Sequence, residues 1–293
     1  MEQPQARTRG VLATALSGFT RCGAAALAAL ALTAAAGCAP PITNAGLAIP
    51  AAKPGQEERP IPLRPPFELA TNEDAIVRIV TDVTCTGTLI TEDLVLTAHH
   101  CVAARDENGR TLRRDQEPEA ISIELGGDHL PWGDVTVRAV VSPDCGYTSG
   151  EGDIAILVLS RRLIGIPTLA PRIESQPEPK EQVTPYGFGR CALSRDPVHL
   201  VPRPGGAIDA VSKGHFVAVA SICPGDSGGP ARSDQGGDVV GVISSSVMDG
   251  DERTTGTSYF SRLDVWPELF SAAREIAAGA SPSELPPYRS CLR

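Results

Sequence analysis

Ser227 sits in Gly225-Asp-Ser-Gly-Gly229, a run whose small residues let the backbone turn sharply and present a hydroxyl. A serine hydroxyl is a weak nucleophile until a neighbouring base takes its proton. An imidazole is such a base when a carboxylate holds its other nitrogen. All five histidines (His99, His100, His129, His199 and His215) precede Ser227, and several aspartates lie between His100 and Ser227, among them Asp128, Asp134, Asp144 and Asp153. The residue types for nucleophilic catalysis are present, with more than one candidate for base and orienter.

The elements that must position them are short and β-rich: 75–80, 86–90, 94–97, 121–125, 135–141, 154–159 and 239–243, nearly all separated by turn residues. Strand after strand with no intervening helical pattern predicts an antiparallel sandwich or barrel rather than a parallel α/β sheet. One helix is predicted near the end, capped by Asp264, running through Ala278 with Pro267 in its first turn and stopped by Gly279. The composition agrees, with 29 Gly, 26 Pro and 4% aromatic residues among 293. Beyond the first forty residues no apolar run reaches the ~18 needed to span a bilayer, and disorder, coiled coil and a polytopic membrane protein are excluded. The formal charge is −9, with Arg7, Arg9 and Arg21 against Glu2 in the first 37 residues, so the remainder is more acidic still. Such a surface repels phosphate backbones and argues against nucleic-acid binding.

Residues 1–37 read as a secretory signal of bacterial type: a basic start, an apolar run over 23–36 and small residues before Cys38. Ala35-Ala36-Gly37-Cys38 resembles the lipobox of bacterial lipoproteins, which implies a lipid on Cys38 and a place in the cell envelope; cleavage without lipidation would give a secreted protein. Residues 38–69, with Pro40, Pro41, Pro50, Pro54, Pro60, Pro62, Pro65 and Pro66, read as an extended tether. Six of the eight cysteines fall in the domain from residue 70 onward (Cys85, Cys101, Cys145, Cys191, Cys223 and Cys291), enough for three disulfides in an exported protein.

Gly225-Asp-Ser-Gly-Gly229 also fits the nucleophile elbow of α/β-hydrolases, but there the histidine follows the serine, so chain order excludes that arrangement. The fuller string Cys223-Pro-Gly-Asp-Ser-Gly-Gly-Pro230 resembles the nucleophile loop of trypsin/chymotrypsin-like serine peptidases. Thr97-Ala-His-His-Cys101 is similar to that family's histidine motif and Gly152-Asp-Ile-Ala-Ile-Leu157 to its aspartate motif, in the family's order, over about residues 70–280.

The resemblance implies an all-β fold of two packed six-stranded antiparallel β-barrels with a C-terminal α-helix: first barrel about 70–165, second about 166–262, helix about 264–278. It implies a serine endopeptidase acting through an acyl-enzyme on protein or peptide substrates, with Ser227 as nucleophile, His100 as base, Asp153 as orienter, and the N–H groups of Gly225 and Ser227 as oxyanion hole. No cofactor or metal is expected, and a monomer is. His99 becomes a packed neighbour. Cys85 is expected to bond Cys101, Cys191 to bond Cys223, and Cys145 to bond Cys291. Ser221 stands where relatives that cleave after Arg or Lys carry Asp, Ser244 beside the catalytic aspartate, and Ser246 where an open pocket has Gly; Ser258 narrows the opposite wall. A neutral, small-to-medium P1 residue follows. Asp226 matches an aspartate that pairs, in activated relatives, with a newly released Ile or Val amino terminus. No Ile-Val-Gly-Gly occurs between residues 55 and 75, so the buried carboxylate must find another cation or several hydrogen bonds, and Arg190 is the candidate. The competing function is a catalytically silent homologue acting as a protein-binding module; a structural scaffold lipoprotein is a third.

Overall fold

Runs of β-branched residues form strands where their patterning marks them. A computed structural model of the chain describes residues 71–126, 131–143, 152–191, 198–249 and 253–284. Strands β1 (Ile76–Val80), β2 (Thr84–Thr91) and β3 (Leu94–Thr97) are followed by β4 (Ala103–Arg105) and β5 (Thr111–Asp115), then β6 (Ser122–Leu125), β7 (Gly133–Val141) and β8 (Ala155–Leu159). Six of these close an antiparallel barrel in the order β1-β2-β3-β8-β7-β6, with β1 and β6 completing the ring, while β4 and β5 form a separate ribbon. β7 shows the half-buried alternation, with Val135 and Val137 inward and Asp134, Thr136 and Arg138 outward. β8 is buried at all five positions, as its unbroken apolar run requires.

The second half folds into β9 (Gln182–Gly187), β10 (Val201–Pro202), β11 (Gly206–Val211), β12 (His215–Val219), β13 (Pro230–Ser233), β14 (Val239–Asp249) and β15 (Arg253–Arg262). The order β9-β11-β12-β15-β14-β13, with β13 returning to β9, closes a second six-stranded antiparallel barrel; β10 adds to the end of β9. Phe216 and Phe260 stack at 5.0 Å in its core beside Ile208, Val240 and Ile243.

Helix α1 (Pro267–Ala277) lays Leu269, Phe270, Ala273 and Ile276 into the same apolar cluster as the first barrel. Its N-cap is Trp266, with Pro267 in the first turn, whereas Asp264 accepts hydrogen bonds from Arg262 at 3.0 and 2.5 Å; the ion pair takes the carboxylate that would otherwise cap. At the other end Arg138 of β7 donates to the carbonyls of Ile276 and Ala277 at 2.9 and 2.8 Å, satisfying exposed helix-end acceptors with a cation.

Cys85 is bonded to Cys101 and Cys191 to Cys223. The first bridge ties β2 to the segment after β3 across a separation of 16 residues, and closing a loop of that length contributes about 3 kcal/mol. Cys145, Cys291 and residues 1–70, with the expected signal, tether and Cys38 among them, lie outside the described residues. Among the described residues no helix is long and apolar enough to cross a membrane.

Candidate active site

Strand register brings His100 and Asp153 together. β3 and β8 run antiparallel with Thr97 opposite Ala155, so the chain leaving β3 and the chain entering β8 emerge at one end of the barrel. His100 lies three residues beyond the first position, in a single 3-10 turn, and Asp153 two before the second. The Asp153 carboxylate is buried; one oxygen accepts the backbone N–H of His100 at 2.9 Å, and the other lies 2.8 Å from His100 Nδ1. Ser244 of β14 donates its hydroxyl to the same second oxygen at 2.6 Å, and Ser261 of β15 donates to the Asp153 carbonyl at 2.7 Å. A buried carboxylate with this many donors is satisfied in its ionised form.

Both groups are shifted accordingly. Burial is the largest influence on His100 and disfavours its imidazolium, but the charge of Asp153 and the hydrogen bond to it outweigh burial and hold the pKa above the ordinary imidazole value; Arg105 pulls the other way. Burial likewise pushes Asp153 upward, and His100, Ser244 and the His100 N–H together bring it below the usual carboxylate value. Arg105 also donates to the His100 carbonyl at 3.2 Å.

The Ser227 loop docks on the first barrel at the same end. Thr86 of β2 donates its N–H to the Ser227 carbonyl at 2.8 Å and its hydroxyl to the Gly225 carbonyl at 2.8 Å, while its hydroxyl oxygen accepts the Phe188 N–H at 3.0 Å. Gly228, at φ 84°, sits so close to Thr97 and Thr86 that a Cβ there would lie 2.1 Å from the Thr97 hydroxyl. Gly225 takes φ 101°, a conformation that costs other residues dearly. Its N–H and that of Ser227 donate to no group among the described residues. Two adjacent orphan donors on a bent loop are what an anionic oxygen would occupy. Among the described residues no hydrogen bond joins the Ser227 hydroxyl to the His100 ring; such contacts are commonly loose until substrate closes the site.

The remaining expected residues fall nearby. Ser221 is half-buried and donates its N–H to the Pro204 carbonyl at 3.0 Å. Ser246 and Ser258 face each other across β14 and β15, and their hydroxyls donate to the carbonyls of Thr257 and Ala220 at 3.1 and 2.7 Å. His99 is buried with its Nε2 2.7 Å from Asp115, whose carboxylate also accepts the Ser142 hydroxyl, 2.8 and 3.0 Å from its two oxygens. Its ring therefore braces the ribbon strand β5. His100 and the sulfurs of Cys85 and Cys101 cluster within 4.8 Å, but the sulfurs are bonded to each other and offer no thiolate to a metal.

One expectation is corrected. Asp226 is fully buried and pairs with Arg203, not Arg190, whose side chain is exposed while its N–H donates to the Pro224 carbonyl at 3.0 Å. Arg190 is held by the bridge-bearing turn at the surface; Arg203, leaving β10, approaches from inside. Thr86, Ser261 and Arg203 are site residues that sequence reasoning missed. A threonine, a serine or an arginine outside any local motif carries no pattern of its own.

A family model described as Trypsin matches residues 70–266. The chain is 29% identical over 178 residues to the mouse peroxisomal leader peptide-processing protease; that match covers 59% of this chain and 27% of the relative, so the chain spans little more than a quarter of that protein's length. Among solved structures, a Glu endopeptidase in complex with MPD superposes with a TM-score of 0.56 at 14% identity, covering 74% of this chain and 96% of the other. Neuropsin, a serine protease expressed in the limbic system of mouse brain, gives 0.54 at 18% over 69% and 95%. Human heparin binding protein gives 0.54 at 19% over 71% and 93%. At these identities the structures speak for the fold alone.

Proposed function

The chain belongs to the trypsin family, and on that basis we propose that it is a serine endopeptidase in which Ser227 attacks, His100 carries the proton and Asp153 orients His100. The observation that carries the reading is the Asp153 carboxylate, buried and divided between the His100 N–H, the His100 ring and Ser244, beside a loop whose two orphan N–H groups flank a serine. The carboxylate selects the tautomer with the proton on Nδ1, leaving Nε2 as an acceptor for the Ser227 proton. After attack, the tetrahedral oxyanion is received by the N–H groups of Gly225 and Ser227, and the imidazolium returns its proton to the leaving amine. Water then repeats the sequence on the acyl-enzyme. Substrate backbone has an edge to pair with: Ser245 and Ser246 of β14 pair with β15 on one side, whereas β13 runs along β14 only as far as Val242.

The finer reading is a monomer exported to the cell envelope, held by a lipid on Cys38 through the 38–69 tether, that cleaves protein or peptide after small-to-medium neutral residues. Two disulfides agree with an oxidising compartment. A silent protein-binding homologue, with the three side chains present but no turnover, is the second reading. Treating the full chain with a fluorophosphonate and mapping the adduct separates the two: a single adduct on Ser227 is the outcome for an enzyme, and an unlabelled, folded protein is the outcome for a binding module.

The pH dependence has a definite sign. His100 must be neutral to act as base, and its pKa is raised, so kcat/KM is expected to rise with pH through a midpoint above that of free imidazole. In Asp153→Asn the charge that raises it is gone, and the midpoint of the residual activity is expected to move down. A pH–rate profile that stays put in the variant would overturn the pairing of these two groups.

A further inference from the structure

Thr86 stands where β2 outruns its neighbour. The β2–β3 ladder ends with Thr88 opposite Leu96, as β3 gives way to the His99–Cys101 turn. Past that point a buried N–H and carbonyl on β2 lack ladder partners and must find others. The Thr86 N–H donates to the Ser227 carbonyl at 2.8 Å, and the Thr86 carbonyl accepts the Thr97 hydroxyl at 2.9 Å. One residue of the first barrel thus holds the carbonyl of Ser227 and the last residue of the strand that leads into the His100 turn.

The side chain adds a second grip. Thr86 is 0% exposed, and its hydroxyl donates to the Gly225 carbonyl at 2.8 Å while accepting the Phe188 N–H at 3.0 Å. A hydroxyl does both at once; a methyl in its place does neither and leaves two polar groups buried and unpaired. The rotamer is held as well, because a β-branched side chain is stiff and a Cβ added to Gly229 would come 3.0 Å from the Thr86 methyl. Gly225 and Ser227 are therefore pinned by their carbonyls to the same threonine, with the Ser227 N–H between the two pinned points. Phe188 precedes Gly189, whose N–H donates to Asp226, so the third bond anchors that segment too. On the side of the base, the Cys85–Cys101 bridge joins the residue before Thr86 to the residue after His100.

We propose that the Thr86 hydroxyl is a positioning group for the reaction: it keys the Ser227 loop of the second barrel to the part of the first that carries His100, and so sets nucleophile against base. The inference rests on the serine peptidase reading for its effect on rate, though not for its structural half. Being fully buried, Thr86 touches no substrate and acts through Gly225 and Ser227. A threonine that only filled space would cost stability alone when replaced by valine, which has the same shape. A keying hydroxyl costs rate, since misplacing a reacting group by about 1 Å lowers turnover by about 100-fold.

Thr86→Val and Thr86→Ser in the full chain decide it. Thr86→Val, folded by near-ultraviolet circular dichroism, is expected to lose about 10- to 100-fold in kcat with KM within about threefold of wild type, and to label with a fluorophosphonate more slowly by a similar factor. Thr86→Ser keeps the hydroxyl and drops only the methyl, so it should recover most of that rate while melting below the wild type. Amide hydrogen exchange at Gly228 and Gly229 reads the loop without catalysis, because these N–H groups donate to the carbonyls of Ile243 and Asp226 rather than to Thr86. Exchange there should quicken at least about tenfold in Thr86→Val and return most of the way in Thr86→Ser. A Thr86→Val protein with wild-type kcat and unchanged exchange, merely less stable, overturns the proposal. So does a Thr86→Ser protein as slow as Thr86→Val. If the wild type neither labels nor turns over, yet exchange quickens in Thr86→Val and recovers in Thr86→Ser, the peptidase reading falls and the keying of the loop stands. Should Thr86→Val not fold, Thr86→Ala, which removes the hydroxyl without adding a carbon, is read against Thr86→Ser in its place.

Discussion

Ser227→Ala, His100→Ala and Asp153→Asn are each expected to lower turnover of a peptide or ester substrate by about 10⁴-fold or more, with combinations little worse than the worst single change. In the proposed mechanism the three side chains act as one proton-transfer unit, so removing any of them removes the unit. Asp153→Asn is the most informative. Its carboxylate accepts three hydrogen bonds, from the His100 N–H, the His100 ring and the Ser244 hydroxyl. An amide has one acceptor oxygen and two N–H groups of its own. With its oxygen toward the ring, its NH2 would meet the backbone N–H of His100, which cannot accept; turned the other way, the NH2 meets the ring, and satisfying it forces His100 toward the tautomer with its proton on Nε2, which cannot accept from Ser227. His99→Ala is the contrast. His99 is buried against Asp115, not Asp153, so the variant should turn over substrate near normally while melting at a lower temperature. Stopped assays with active-site titration check both arms; an inactive but folded His99→Ala with an active His100→Ala would reverse the assignment of the base.

The first barrel is more completely legible in the amino-acid pattern than the second, for a physical reason. β3 and β8 are apolar without interruption because they are buried on both faces, and such runs are visible without a structure. β15, by contrast, reads Arg-Thr-Thr-Gly-Thr-Ser-Tyr-Phe-Ser-Arg, which as a sequence looks like a loop. It is a long strand because its inward serines are paid for by carbonyls: Ser258 donates to Ala220 and Ser261 to Asp153. Polar satisfaction of this kind depends on partners far away in the chain and leaves no periodic trace. β9 was hidden by Pro185, which the strand tolerates while pairing with Ala231. The same distinction runs through the site. His100, Asp153 and Ser227 come in local motifs and were legible by resemblance. Arg203 answers a need the sequence does announce, a buried Asp226 wanting a cation, but the answer sits 23 residues away with nothing local to mark it.

Cleavage after neutral residues is expected to exceed cleavage after Arg or Lys by about 10²- to 10⁴-fold, and the pocket's hydrogen bonds say why. In the proposed pocket Ser221 supplies a hydroxyl where, by the family resemblance, a cation-selective relative carries a carboxylate. Asp226, the carboxylate closest to it in the chain, is fully engaged by Arg203, Gly189 and Cys223 and has no oxygen left for a substrate. Asp251 lies outside the described residues, as does the side chain of Asp249. A cationic P1 side chain would then be desolvated without a partner, at a cost of about 3–5 kcal/mol. Acidic P1 residues fare little better, because the protons of Ser246 and Ser258 are donated into the walls, to Thr257 and Ala220, and the lone pairs left over repel a carboxylate. Size gives the second, smaller discrimination. Ser246 and Ser258 are joined at 3.2 Å across the two strands that form the walls, and with both hydroxyls anchored to backbone they do not swing aside for a large ring. Ala, Val, Leu and Met at P1 should therefore exceed Phe and Tyr, and Ser246→Gly should raise Phe and Tyr selectively while leaving Arg and Lys poor. A P1-varied peptide library read by mass spectrometry gives both comparisons at once. Dominant cleavage after Arg or Lys would overturn the charge argument, whereas dominant Phe or Tyr, unchanged in Ser246→Gly, would overturn the argument from size.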